Sequence, residues 1–250
     1  MSPLTFTVDC GGGGITAAVL TAHGRLLADP VRVPTPYPLP PDRLLGILKD
    51  LAGRLPRADR ATIGMPGMIR HGVVIDTPHY VTRHGPRTRV LPELVAAWQG
   101  YDVQDEARAA LGLPVLVLND TEVHGAGAID GRGVEMVLTL GTGLGNAIFD
   151  DGRLAPHMEL SRAQFRWGLS FDEYLGEHER LRLGDVLWGR RVRQVVDSLR
   201  PVVMWDRLYL GGGNSRALSA SLVARLGDGV SVVSNSVALV GGMRIWDFAR

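Results

Sequence analysis

The chain has 250 residues, of which 45% are hydrophobic and 21% charged, and a formal net charge of +1. That length suffices for one large domain or two small ones with an ample core, and the near-zero charge gives no reason to expect nucleic acid or a membrane as the main partner. Cys10 is the only cysteine, which excludes an internal disulfide and a thiolate metal cluster. No basic region followed by an apolar core opens the chain, and no apolar run approaches the roughly 18 residues of a membrane span, so a soluble, cytoplasmic protein is expected. Lys49 is the one lysine among 27 basic residues. Any phosphate clamp must therefore use arginine, backbone or metal.

Residues 4–8, 15–20 and 25–33 alternate or run apolar with turn residues between them, which predicts an antiparallel meander. The proline-rich stretch 34–41 reads as a rigid loop, and 42–55 has helical spacing with Asp42 as its N-cap. A short strand over 61–64 enters Pro66-Gly67-Met68, a helix follows over 103–111, and a buried strand over 114–118 delivers Asn119-Asp120 ahead of a helix over 122–129. The second half repeats the order: strands over 134–140 and 146–149, then a long arginine-rich helical stretch. A strand over 205–210 runs into Gly211-Gly212-Gly213-Asn214, followed by a helix over 218–226, a strand over 230–233 and a closing helix from Val237 to Phe248. Strand meanders followed by strand–helix alternation predict an α/β protein of two related lobes. The expected division is 1–118 and 119–236, with a C-terminal helix, 237–250, packed back on the first lobe.

Two glycine-rich turns stand out. One is Asp9-Cys10-Gly11-Gly12-Gly13-Gly14-Ile15-Thr16, running on to Gly24-Arg25-Leu26; the other is Leu140-Gly141-Thr142-Gly143-Leu144-Gly145, running on to Gly152-Arg153-Leu154. Glycine allows positive φ and leaves backbone N–H groups uncovered for an anion. Either turn alone reads as an ordinary hairpin. Two of them, one per half, suggest a duplicated fold holding a polyphosphate.

Asp120 stands at the C-terminal end of an apolar strand, where α/β sheets place ligands. It can serve as a general base toward a substrate hydroxyl or as the N-cap of the following helix. Asp9, directly before the first glycine turn, can hold Mg²⁺ through water or open an Asx turn. Gly211-Gly212-Gly213-Asn214-Ser215 lets backbone approach a flat ligand or an anion, without the spacing of a dinucleotide fingerprint. Glu159 can orient sugar hydroxyls or remain an exposed glutamate.

Together these residues resemble the sugar kinases of the ROK family, and most of all its polyphosphate glucokinases. The resemblance runs from Asp9 to Trp246 and is carried by Gly64-Met65-Pro66-Gly67-Met68, Val117-Leu118-Asn119-Asp120, the stretch from Gly131 to Gly145, and Trp205 to Asn214. It implies an actin-like (ribonuclease H-like) ATPase fold, a homodimer, and Mg²⁺-assisted phosphoryl transfer from ATP or polyphosphate to the 6-hydroxyl of a hexose. It also implies that Asp120 is the base, and that Asn119, Glu159 and Gly67 lie at the sugar. Phosphate or nucleotide would be held by Gly11, Gly12, Gly13, Gly14, Thr16, Gly141, Thr142, Gly143, Gly145, Gly212, Gly213 and Asn214, with Asp9 toward the metal.

The departures cluster. Gly13 and Thr16 stand where the family carries a serine or threonine and then a lysine, and arginines such as Arg70 or Arg132 are candidates to replace the lost cation. Ser161-Arg162 replaces Gly-His, Pro78-His79-Tyr80 replaces Pro-Asn-Leu, and Asp172 aligns with a sugar-facing glutamate. Arg162, His79 and Asp172 are accordingly expected to change the acceptor to a modified hexose, amino sugar, cyclitol or other polyol. The competing expectation is a non-catalytic sugar-binding protein on the same scaffold. A DNA-binding repressor is not expected, because the first strand begins near Leu4.

Overall fold

The computed structural model describes residues 2–248. They form two compact units, one running up to Gly127 and including Ala238–Phe248, the other comprising Ala128–Val237.

The first unit contains β1 (Thr5–Cys10), β2 (Ile15–Leu20), β3 (Val31–Val33), α1 (Pro41–Gly53), β4 (Arg60–Met65), β5 (Met68–Arg70), β6 (Val73–Asp76), α2 (Pro92–Trp98), α3 (Val103–Leu111), β7 (Val115–Asn119) and α4 (Asp120–Ala128). Its sheet has the order β3-β2-β1-β4-β7. β1, β2 and β3 are antiparallel neighbours, whereas β4 and β7 run parallel to β1. Alternation sorts the strands: Phe6, Val8 and Cys10 of β1 join Leu44, Leu48 and Leu51 of α1 in one core. Trp98 fills that core and donates its indole N–H to Leu39 C=O at 2.8 Å, so its one polar atom is satisfied.

The second unit contains β8 (Val134–Leu140), β9 (Leu144–Asp150), β10 (Arg153–Leu154), β11 (Gln164–Arg166), β12 (Leu169–Ser170), α5 (Phe171–Leu175), α6 (Glu177–Val203), β13 (Arg207–Gly211), α7 (Ala220–Val223) and β14 (Val230–Val232). Its sheet has the order β10-β9-β8-β13-β14, with the same sequence of antiparallel and parallel pairings as the first. The duplication seen in the glycine turns is therefore a duplication of sheet topology. Gly24 and Gly152, which close the corresponding turns, both sit at positive φ, 76° and 77°.

Several elements differ from expectation for local reasons. The helix expected at 42–55 begins at Pro41, and Asp42 makes no cap; proline at the first helical position has no N–H to satisfy and a preset φ. Only Val31–Val33 of the stretch 25–33 is strand, with Leu26 forming a single bridge to Leu20. The helix expected at 218–226 is broken: Ser219 caps Ala220–Val223 through Leu222 N–H, and the chain then tightens into a 3-10 turn. The arginine-rich stretch is α6, kinked where Gly184 takes φ 73°. The short α2, the β5–β6 hairpin and the β11–β12 hairpin were not foreseen.

The last element, α8 (Val237–Phe248), returns to the first unit; Ala249 and Arg250, which the expected helix also covered, lie outside the described residues. Close approach there depends on two glycines. A Cβ at Gly241 would overlap Val123 O and lie 2.9 Å from Gly127 N; one at Gly242 would overlap the Thr7 side chain. Thr62 Oγ1 donates to Gly242 C=O at 2.6 Å and accepts from Trp246 Nε1 at 2.9 Å, which fixes the helix axially.

Gly241→Ala is expected to destabilise by about 1–3 kcal/mol or more through this backbone overlap. Gly46→Ala, on α1 with open space around it, should be neutral or gain up to about 1 kcal/mol from helix propensity. Urea midpoints of the two variants check the contrast; equal midpoints would refute the close-packing account of α8.

Candidate active site

The C-terminal edge of the parallel strands carries the candidate residues of the first unit. Asp9 of β1 pairs in register with Gly64 of β4, and Gly64 with Leu118 of β7, so the strand ends lie side by side. Asp120 follows immediately, and a Cβ on Gly64 would lie 3.3 Å from its Cα. Glycine at 64 thus lets the start of α4 settle on the sheet. The buried Cys10 thiol feels both the Asp9 and Asp120 charges, which with burial push its pKa up.

The sequence left open whether Asp120 caps α4. The cap is Asn119: its Oδ1 accepts from Thr121 N–H at 2.8 Å, a proton shared with Asp120 Oδ1, while Glu122 Oε2 accepts from Asn119 N–H at 3.0 Å. That is why α4 starts at Asp120 rather than at 122. Asn119 Nδ2 also donates to Gly67 C=O at 2.8 Å. Gly67, at φ 104°, admits no side chain, because a Cβ would overlap Asp76 O. Asp120, one position into the helix, is half-buried; its Oδ1 accepts from Thr121 N–H at 2.8 Å.

The first glycine turn closes through Gly11 N–H to Gly14 C=O at 2.9 Å. Gly11 C=O accepts from Thr35 Oγ1 at 2.6 Å and Gly12 C=O from Tyr37 Oη at 2.9 Å. A trans peptide points its C=O and N–H in opposite directions. Holding those two carbonyls turns the N–H groups of Gly12 and Gly13 the other way, and neither takes a partner among the described residues. His79, expected at the sugar, has its ring against this turn: a Cβ on Gly12 would lie 3.6 Å from its Nδ1. Thr16 lies between Asp9 and Arg32 in the sheet register. A guanidinium that the sequence did not single out lies against the turn, that of Arg32: a Cβ on Gly14 would lie 2.7 Å from Arg32 Nη2.

The second unit builds its turn the same way with other parts. Gly141 N–H bonds to Gly143 C=O at 3.0 Å. Gly141 C=O accepts from Asn214 Nδ2 and from Glu177 N–H, each at 3.0 Å, and Thr142 C=O accepts from Glu177 N–H at 3.3 Å. The N–H groups of Thr142 and Gly143 are thereby turned away, again with no partner among the described residues. Gly145 continues into β9 opposite Thr139. Gly212, at φ 84°, lies on the end of β8, where a Cβ would overlap Leu140 O. Beside Gly213 and Asn214 is a pocket of about 460 Å³ lined by Glu177, Arg180, Asp185 and Arg216, with Ala217 its one apolar side chain.

Three further candidates lie in the second unit. Glu159, partly buried, accepts from Ser161 Oγ at 2.6 Å and lies 3.3 Å from His157 Nε2. Arg162 is exposed at the end of a 3-10 turn. Asp172, expected to face the sugar, is placed at the second glycine turn: its Oδ1 accepts from Leu144 N–H at 2.9 Å, and a Cβ on Gly143 would overlap it. Sequence reasoning missed Arg32, Thr35 and Tyr37. The alternation Val31-Arg32-Val33 was the available signal, since it puts Arg32 on the face opposite its two valines.

Two titrating groups here oppose each other. Burial pushes the Asp9 carboxyl up to about 6, with the Arg32 guanidinium pulling it down. His124, one helical turn after Asp120 and 6% exposed, is lowered by burial to about 4, and its Nε2 has no hydrogen-bond partner among the described residues. A carboxyl with a raised folded pKa loses stability as pH rises from 3.8 through about 6, whereas a histidine with a depressed one loses it as pH falls from 6.5 toward about 4. Each effect is on the order of 2–3 kcal/mol, so in the metal-free protein they largely cancel. Asp9→Asn should expose a stability that rises across this window, and His124→Gln one that falls. Urea unfolding across that pH range reads the slopes; parallel profiles for the two variants would refute the assignment.

Comparisons with known proteins agree with this architecture. The ROK family's sequence model matches residues 5–157. The polyphosphate glucokinase of Mycobacterium tuberculosis (strain ATCC 25618 / H37Rv) is 26% identical over 222 residues, covering 84% of this chain and 78% of that protein. Among solved structures, the inorganic polyphosphate/ATP-glucomannokinase of Arthrobacter sp. strain KM superposes with a TM-score of 0.79 at 24% identity, over 97% of both chains. The ROK family glucokinase of Streptomyces griseus, in complex with glucose and AMPPNP, gives 0.73 at 18% identity, over 97% of this chain and 98% of that one. These likenesses establish a mixed α/β fold of the actin-like ATPase class, and with a sequence match over more than half its length the chain belongs to the ROK family.

Proposed function

We propose that the chain is a sugar kinase that moves a phosphoryl group from ATP or polyphosphate to a hydroxyl of glucose or a glucose-like sugar, amino sugar or cyclitol, the 6-hydroxyl in a hexose. The observation that carries this reading is the first unit's strand edge. There Asp120 and Asp9 flank Gly64, and the adjoining glycine turn offers two unspent N–H groups. Family membership and the polyphosphate glucokinase relatives point the same way.

In this mechanism the acceptor oxygen attacks the terminal phosphorus, its proton passes to Asp120, and the bridging P–O bond breaks to release ADP or a shortened polyphosphate. The chain's task is positioning and charge stabilisation. Phosphate oxygens are assigned to the N–H groups of Gly12 and Gly13 in one unit and of Thr142 and Gly143 in the other. Gly212 and Asn214 support the second turn, and the pocket beside Gly213 is assigned to the remainder of the donor. Asn119 retains one amide N–H and one carbonyl lone pair beyond its capping bonds, enough to meet an acceptor hydroxyl. Glu159, held by Ser161 and His157, is assigned to a second hydroxyl, and Arg162 to whatever distinguishes the acceptor from glucose.

Mg²⁺ asks for one or two carboxylates, keeps several waters and takes the rest of its shell from phosphates. A half-buried Asp9 beside unspent N–H groups fits that demand, and no cluster of three or more metal-binding side chains exists among the described residues. When bound, the ion would offset charge on the phosphate oxygens. No helix among the described residues is long and apolar enough to cross a membrane. A cytoplasmic homodimer belongs to the same reading; light scattering on the purified protein reports the oligomer.

The deciding experiment is a mass-spectrometric screen for phosphorylated product, with ATP and polyphosphate offered separately against glucose, glucosamine and cyclitols. Asp120→Asn should lower product formation about 100- to 10,000-fold. Absence of product from every pair, with sugar binding retained, would overturn the kinase and favour a non-catalytic sugar-binding protein.

A further inference from the structure

Resting on the kinase reading, we infer that Arg32 is the cation of the first glycine turn, and that its guanidinium joins the N–H groups of Gly12 and Gly13 in binding phosphate oxygens of the donor. Three observations converge. Arg32 stands opposite Thr16, and Thr16 opposite Asp9, across β3, β2 and β1. Residues directly opposite share a sheet face, so the guanidinium rises on the Asp9 side. Its Nε–Nη2 edge lies against the turn: a Cβ on Gly14 would lie 2.7 Å from Nη2, 2.8 Å from Nε and 3.0 Å from Cζ. Glycine at 14 is what makes room for it. Third, Arg32 forms no ion pair and donates no hydrogen bond among the described residues. Arg60 on β4, by contrast, donates to Thr5 Oγ1 and Met243 C=O.

A solvated surface arginine would not need a glycine to make room for its edge. Packed there, it presents up to five N–H donors in a fixed fork, a geometry matched to phosphate. The turn itself contributes no cation, since positions 11–14 are all glycine. The neighbouring strand therefore supplies from the side the charge that the turn lacks. This is a positioning and affinity role for the donor, and it leaves the acceptor contacts untouched.

The test measures binding of inorganic tripolyphosphate by titration calorimetry, alongside donor and sugar KM for whichever pair gives product. Arg32→Gln should weaken tripolyphosphate about 10- to 100-fold, the range for one lost charge-assisted interaction. It should raise donor KM in step and leave sugar KM within about twofold. Arg32→Lys should recover much of the loss. Arg54→Gln, the same charge change at the exposed C-cap of α1, should do nothing. If Arg32→Gln fails to fold, Arg32→Met keeps the aliphatic stem and carries the same expectation. Tripolyphosphate binding by Arg32→Gln equal to that of Arg54→Gln overturns the inference while leaving the kinase standing if transfer persists. A wild-type protein that neither binds tripolyphosphate nor yields product overturns both.

Discussion

The rest of the site depends on the fact that a planar trans peptide cannot offer its carbonyl and its N–H to the same side. Each glycine turn has two consecutive carbonyls held from one direction, which commits the next two N–H groups to the other. Side-chain hydroxyls from the proline-rich segment do the holding in the first unit, Thr35 on Gly11 and Tyr37 on Gly12. In the second unit an amide and a helix N-terminus do it, Asn214 and Glu177. Glycine supplies the access, but its flexibility alone would leave the turn free to rotate. The surrounding hydrogen bonds convert a permissive backbone into an oriented set of donors.

The two units share topology yet not chemistry. In the pairing register, Asp9 of β1 corresponds to Thr139 of β8, since each faces a strand partner one step outside the turn. A carboxylate thus appears at only one of two related positions, and an arginine with no ion pair lies near it. Asp172 shows the converse. It brings a carboxylate onto the second turn, where Leu144 N–H receives it. The first unit sets the Asp9 carboxylate and the Arg32 guanidinium beside its glycines, while the second brings the Asp172 carboxylate directly onto its turn. Duplicated folds diverge by such substitutions at equivalent positions, because the sheet is indifferent to what projects from its edge.

Much of this was legible in the sequence. Apolar runs bounded by glycine, proline or aspartate marked β1, β2, β7, β8 and β13 because a buried strand needs little beyond that pattern. The chemistry-bearing pair Asn119-Asp120 was placed correctly at a strand end. What sequence left undecided was whether Asp120 caps the helix, and Asn119 was not weighed as the cap. That depended on Glu122 reaching back to Asn119 N–H, a pattern visible as Asn-x-x-Glu once the helix start is known. Asp42 was misjudged because Pro41 begins α1 without needing a cap. Arg32 was invisible as a site residue for a different reason. Its meaning lies in register with Thr16 and Asp9 across a strand only three residues long, Val31–Val33. The tie between Asp172 and the second turn was not legible either, because it depends on Leu144 N–H, 28 positions back in the chain, donating to its Oδ1.

Helix α8 has a consequence for how the molecule is made. It seats on Val123, Gly127 and Thr62 of the first unit, although the whole second unit intervenes in the chain. During synthesis the sheet that carries Asp9 and Asp120 emerges early, but the surface that α8 covers stays bare until Val237–Phe248 has been made. Domains generally fold as units and in order of emergence. Here the earlier unit must wait for the later one, so its nascent form leaves the seat of α8 at Val123, Gly127 and Thr62 uncovered throughout translation of residues 128–237.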